Sequence, residues 1–143
     1  MIRFVILGEP ASKANSRKIV TLNGRPASIK SAKARAFAES AFPQIPREAR
    51  QRLDMPVRVT LRIWYRTERP DLDESVVLDV LQDQYEKKLC AGLPGGGFQQ
   101  DRLLVQCGVY RNDRQVREKH VFHGIDRKNP RVEVAVEPIE VAQ

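Results

Sequence analysis

The sequence predicts an α+β fold: one domain with a mixed β-sheet of about four to five strands and two main helices packed mostly on one face. Three observations lead there. The 143-residue length suits one compact domain with a modest core. The segment PVRVTLRIWYR, 56–66, alternates strictly between apolar and polar residues, as a half-buried strand must. Strand-like and helix-like segments are interspersed rather than repeating as strict βα units, which favours helices gathered on one face of the sheet.

Taken in order, IRFVILG is short, apolar, rich in β-branched residues and closed by Gly-Glu-Pro, so it reads as a buried opening strand. KIVTLNGRPASI places Asn23-Gly24 between two extended segments, a strong hairpin signal. SIKSAKARAFAESAF predicts a helix capped by Ser28 or Ser31 and ended or kinked at Pro43 and Pro46, with a further helical turn in REARQRL. Strand 56–66 puts Val57, Val59, Leu61, Ile63 and Tyr65 on one face and Arg58, Arg62, Trp64 and Arg66 on the other. Val77, Val80, Leu81, Tyr85 and Leu89 in DLDESVVLDVLQDQYEKKL predict an amphipathic helix of four to five turns. CAGLPGGGFQQ reads as a flexible loop, because no Gly-Lys-Ser/Thr follows Gly95–Gly97 to make a phosphate loop. DRLLVQCGVY reads as a short helix, and QVREKHVFHGI and RVEVAVEPI as two strands joined by the turn DRKNP.

Charge narrows the function. Lys and Arg number 25 against 18 Asp and Glu, a net charge of +7. Between Lys13 and Arg35 the residues Lys13, Arg17, Lys18, Arg25, Lys30, Lys33 and Arg35 are basic and none is acidic, so this stretch suits a polyanion such as nucleic acid. No window approaches the roughly 18 apolar residues of a membrane span, and MIRFVILGEP turns polar too soon for a secretory signal, so a cytosolic protein with no membrane partner is expected. Cys90 and Cys107 are then expected as free thiols.

Against that basic background, RPDLDESVVLDVLQD gathers carboxylates. A purely structural account works for its start: acids favour a helix N-terminus, and Asp71 with Glu74 has capping-box spacing. It does not cover Asp79, which lies on or near the apolar stripe, where an unpaired carboxylate costs several kcal/mol, of order ~2–7. A hard divalent cation accounts for both, since Mg²⁺ and Mn²⁺ take carboxylate, phosphate and water oxygens. Asp71 and Asp73 are positioned to share one ion. Asp113 in YRNDRQVREKH is the candidate for a third ligand, although Asn-Asp also opens turns and Arg111, Arg114 and Arg117 stand ready to pair with it.

These residues resemble the RusA family of Holliday-junction resolvases, common in phages and prophages. The likeness spans most of the chain in element order, and its specific content is PDLD and NDRQV, in that order. The resemblance implies a single RusA-like nuclease domain over 1–143, with a basic hairpin and helix entry at 13–35, and the chain departs from it in an extended loop insertion at 90–110, where the family normally has a short connection. It implies a homodimeric, Mg²⁺-dependent endonuclease, with Mn²⁺ as the other candidate ion. Such an enzyme nicks opposing strands of a four-way DNA junction in recombination and repair, in the cytoplasm of a bacterial or phage-infected host cell. The metal-binding and catalytic positions it implies are Asp71, Asp73 and Asp113. Lys13, Arg17, Lys18, Arg69, Arg111 and Arg114 are the expected DNA contacts. The chain departs from the family pattern at Glu74 and Val77, where the family carries Asn and a catalytic Lys. Lys13, Arg69 or Arg114 would then have to supply the cation, with Glu74 and Asp79 adjusting the metal shell. Two other readings stay open: a junction-binding protein of the same fold without turnover, and an RNA-binding domain whose acids only cap a helix.

The remaining constellations are weaker. His120 and His123 point to opposite faces of one strand, and the cysteines lack close spacing, so zinc is not expected. Of Trp64 and Tyr65, one is expected in the core and the other on the sheet surface.

Overall fold

The computed structural model of the chain describes residues 1–12, 17–91 and 98–140, with backbone alone for 87–91 and 98–101. The Gly95–Gly97 segment and Lys13 lie outside the described residues. The elements are β1 (Ile2–Leu7), β2 (Arg17–Leu22), β3 (Arg25–Lys30), α1 (Ala32–Ala41), β4 (Val57–Tyr65), α2 (Ser75–Leu81), β5 (Gln84–Ala91), β6 (Phe98–Gln106), β7 (Val116–Ile125) and β8 (Arg131–Pro138). Short 3₁₀ turns occupy Phe42–Gln44, Arg47–Ala49 and Asp113–Gln115. Among the described residues no helix is long and apolar enough to cross a membrane.

Four strands form a mixed sheet in the order β1-β8-β4-β7, antiparallel except for the β4/β7 pair. The expected α+β domain, a mixed sheet with two helices, is therefore present. Its centre is β4, where Val57, Val59, Leu61, Ile63 and Tyr65 are fully buried. Val132, Val134 and Val136 of β8 and Phe4 and Ile6 of β1 continue that face, and α1 and α2 cover it. The spacing of Ala34, Phe37, Ala38 and Ala41 gives α1 its buried stripe, and the Ser31 hydroxyl caps it by accepting from the Ala34 N–H at 3.1 Å. The opposite sheet face is less freely basic than β4 alone suggests. Arg58 bridges Glu118 at 3.0 Å and Glu137 at 2.8 Å across three strands, and Arg131 lies over the Trp64 ring at 4.8 Å.

Two hairpins flank the sheet. β2 and β3 pair around Asn23 and Gly24, whose positive φ values of 51° and 76° suit a tight hairpin turn. β5 and β6 form the second, and here the expected helices are corrected. The helix predicted to run to Leu89 stops at Leu81, and the segment predicted as a helix around Leu103 and Leu104 is strand β6.

The cause is a long-range contact that local periodicity does not register. Asp83, fully buried at its side chain, takes three hydrogen bonds from the Arg52 guanidinium and one, at 2.8 Å, from the Gly108 N–H. A helix continuing through Asp83 would carry that carboxylate off its partners. Gly108 makes the approach possible, since a Cβ there would sit 2.4 Å from the Gln82 carbonyl carbon. The extended loop expected over 90–110 is thus largely hairpin strand, anchored at its base by this clasp.

Burial pushes the Asp83 carboxyl upward, yet Arg52 and the Gly108 N–H outweigh it and hold it below the usual carboxylate value. The clasp therefore contributes stability above the unfolded-state value near pH ~3.9, and that contribution disappears as pH falls through the lower folded value. Asp83→Ala leaves a buried N–H unsatisfied, while Arg52 keeps partial access to water. We expect urea unfolding to show a loss of about 2–3 kcal/mol at pH 7 that shrinks below pH ~4.

Candidate functional site

The residues 66–74 enter α2 under control of Tyr65. Its buried hydroxyl donates to the Asp71 carbonyl at 3.3 Å and accepts from the Asp73 N–H at 3.4 Å. Burial raises the Tyr65 phenol pKa, so it stays protonated at neutral pH and holds both roles. Asp73, 8% exposed, turns Oδ1 onto the Ser75 N–H at 3.0 Å and hydroxyl at 2.8 Å. The Asp71–Glu74 capping box allowed by spacing is not formed: Glu74 stands at the N-cap position without a side-chain cap, and Asp73 bonds the Ser75 N–H instead.

Glu74 turns toward β7. Its Oε1 lies 2.6 Å from Lys119 Nζ, and that hydrogen bond is the main reason its carboxyl is held below the usual range. One turn on, Asp79 meets Lys30 of β3 at 3.0 Å and accepts from Gln82 Nε2 at 3.2 Å. The partner required by Asp79's place beside the apolar stripe is therefore Lys30. The Gln82 side chain also accepts from the Asp113 N–H at 3.0 Å, linking α2 to the start of β7.

The NDRQ turn divides its labour. Asn112 accepts from the Arg114 N–H, while Gln115 accepts from the Arg111 and Asn112 N–H groups and donates to the Leu53 carbonyl at 2.6 Å. Asn112 and Gln115 hold the backbone, and the Asp113 side chain has no partner among the described residues. Asp113 and Asp79 both act on Tyr110: burial first, then these two charges, push its phenol well above the ordinary value.

These elements close around a cavity of about 320 Å³ lined by Arg17, Lys30, Glu74, Ser75, Val76, Leu78, Asp79, Asp113 and Lys119. Arg17 and Lys30 face each other at the open end of the β2/β3 hairpin. Of the three aspartates expected to bind metal, only Asp113 lines this cavity; Asp71 is exposed and Asp73 buried beside it in the chain. Among the described residues no three His, Cys, Asp or Glu side chains converge as a ligand set. The chemistry of the donors nonetheless suits Mg²⁺ or Mn²⁺. The carboxylates of Asp71 and Asp113 and the Oδ2 of Asp73 have no hydrogen-bond partner among the described residues, whereas Glu74 and Asp79 are taken up by lysines. One or two carboxylates with water and phosphate oxygens complete such a shell.

The expected DNA contacts are dispersed. Arg17 lines the cavity, Lys18 is exposed on the same hairpin, and Arg114 is exposed beside Asp113. Arg69 lines a separate hollow with Thr67, Glu68, Ile125 and Arg127. Arg111 turns toward the Asp83 side, its Nε donating to the Arg52 carbonyl at 3.4 Å. Sequence reasoning missed Lys119. Its signal was parity: Lys119 shares the inward side of β7 with Val121. Val77, where the family pattern carries lysine, is fully buried in the core. His123 stacks on Tyr65 at 5.0 Å, while His120 pairs with Glu118 at 2.9 Å, so the two histidines stay apart as expected. Cys107 is a free thiol, and the Cys90 side chain lies outside the described residues.

No protein-family model and no curated protein sequence matches the chain.

Tyr65→Phe removes a donor and an acceptor at once while keeping the ring. We expect a loss of about 1–2 kcal/mol in denaturant unfolding, with amide hydrogen exchange accelerated at Asp73 and unchanged at the Leu61 centre of β4.

Proposed function

We propose that the chain is a metal-dependent DNA endonuclease that nicks branched DNA at the α2 cavity. The observation that carries this reading is the mixed lining of that cavity: carboxylates from α2 and the 113–115 turn face cations from the β2/β3 hairpin and β7. A stability device needs only the ion pairs, whereas a phosphodiester hydrolase needs both uncommitted oxygens for a hard cation and nearby positive charge for phosphate. Asp113, the carboxylate that lines the cavity without a lysine partner among the described residues, would hold Mg²⁺ or Mn²⁺, with Asp71 and Asp73 added as ligands on the likeness to the RusA family alone, and Glu74 and Asp79 would set the charge around it. The ion, when bound, activates water and offsets charge at the scissile phosphate. The chain's own contribution is to bind and orient the strand: Arg17, Lys18 and Lys30 meet the backbone, and Asp113 stands on a turn braced by Asn112 and Gln115. The choice of a four-way junction, paired nicks and a homodimer rests on the likeness of PDLD and NDRQV to the RusA family, a two-fold pair of sites being suited to two symmetric cuts.

Asp73→Asn is a clean test, because an amide Oδ1 can still accept from Ser75. With Mg²⁺ or Mn²⁺ and a synthetic four-way junction, gel analysis should show paired nicks from the unaltered protein. Asp73→Asn and Asp113→Asn should lose them while binding the junction in EDTA. Tight junction binding by the unaltered protein with no cleavage in either metal would sink the enzymatic reading and leave a DNA-binding protein of this fold.

A further inference from the structure

The Lys119–Glu74 contact is the closest ion pair among the described residues, at 2.6 Å. Lys119 belongs to the inward-facing side of an edge strand, paired in register with the fully buried Val59. An aliphatic residue would suit that position, yet a lysine stands there and its side chain reaches the cavity. The exposures are unequal: the Lys119 side chain is 52% exposed and that of Glu74 25%. The lysine side chain is therefore the more accessible of the two from solvent. Lys30 and Asp79 form a second pair in the same lining, which also includes Asp113.

We infer that Lys119 is a catalytic residue that contacts the scissile phosphate, held by Glu74 until the nucleic acid arrives. This inference rests on the nuclease reading above. During hydrolysis the water oxygen bonds to phosphorus, the P–O bond to the leaving oxygen breaks, and that oxygen takes a proton from the water to become a hydroxyl. Lys119 keeps its proton throughout and offsets the charge gathered on the non-bridging oxygens, as a compact ammonium can. A competing account is that an inward charge on an edge strand merely discourages strand pairing between molecules. That account predicts aggregation on replacement and no change in DNA contact.

The test compares Lys119→Met, Lys119→Arg and Glu74→Gln with the unaltered protein. Junction affinity is read by fluorescence anisotropy in EDTA across a salt series, and single-turnover nicking in Mg²⁺. Lys119→Met should remain monodisperse and lower the salt slope by about 0.9, the value of one phosphate contact on duplex DNA. It should also slow nicking on the order of 100-fold. Lys119→Arg should restore the slope and much of the rate. Glu74→Gln, which frees the ammonium, should tighten binding in EDTA, and this arm decides the matter if Lys119→Met fails to fold. An unchanged slope and rate in folded Lys119→Met, or no tightening in Glu74→Gln, overturns the proposal. If the unaltered protein binds but never nicks, the nuclease reading fails, and with it the catalytic role, while the salt slope still decides whether Lys119 touches phosphate.

Discussion

The site depends on the parity of one strand. β4 buries every odd-numbered residue from Val57 to Tyr65, and a slip by one position would turn that whole set outward and bring Arg58, Arg62 and Trp64 into the core. The parity is thus strongly fixed. Its last inward residue is Tyr65, with an aromatic ring for the core and a hydroxyl for the chain that follows. The acidic entry to α2 is consequently positioned by the hydrophobic core itself. Because β7 runs parallel to β4 in a fixed register, the same constraint delivers Lys119 and His123 to the side of the sheet that α2 covers.

Much of this was legible locally. The alternation of β4, the Asn23-Gly24 turn, the α1 helix and the two closing strands are set by neighbours in sequence, and each formed as expected. The fate of Gln84 to Leu89 was not. Tyr85 and Leu89 fit a helical period as well as a strand, and the choice is made by Asp83 reaching Arg52 and Gly108, 31 and 25 residues away in the chain. The site divides in the same way. Sequence pattern and the likeness to PDLD and NDRQV named Asp71, Asp73, Asp113, Glu74 and Asp79, whereas the lysine partners of Asp79 and Glu74 arrive through strand register, Lys30 from a hairpin and Lys119 from a parallel neighbour.

Paired carboxylates and uncommitted ones are separated by their partners. Glu74 and Asp79 each hold a lysine, while Asp113 is presented by a turn that Asn112 and Gln115 stabilise without it. Capping needs only one short polar side chain at the N-cap. A second one directly after it, left free and aimed at a cavity with its neighbours satisfied, adds little to stability and much to the local field. Tyr110, packed beneath with its hydroxyl on the Leu78 carbonyl at 2.7 Å, feels that field together with the field of Asp79.

Charge balance then links the cavity to the composition of the chain. Three cations, Arg17, Lys30 and Lys119, line it against three anions, Glu74, Asp79 and Asp113, so the cavity is near neutrality while the chain as a whole carries +7. A cavity near neutrality adds little long-range attraction for a polyanion, so phosphate would be engaged there only at contact. The excess positive charge lies outside it, on segments such as the β2/β3 hairpin, where it concentrates a polyanion without fixing its position. On the proposed reading, a strand phosphate would engage the cavity by taking Lys119 from Glu74. Recruitment and engagement would then be separate steps, the first set by basic residues such as Lys18 and Arg25 and sensitive to salt, the second set inside the cavity.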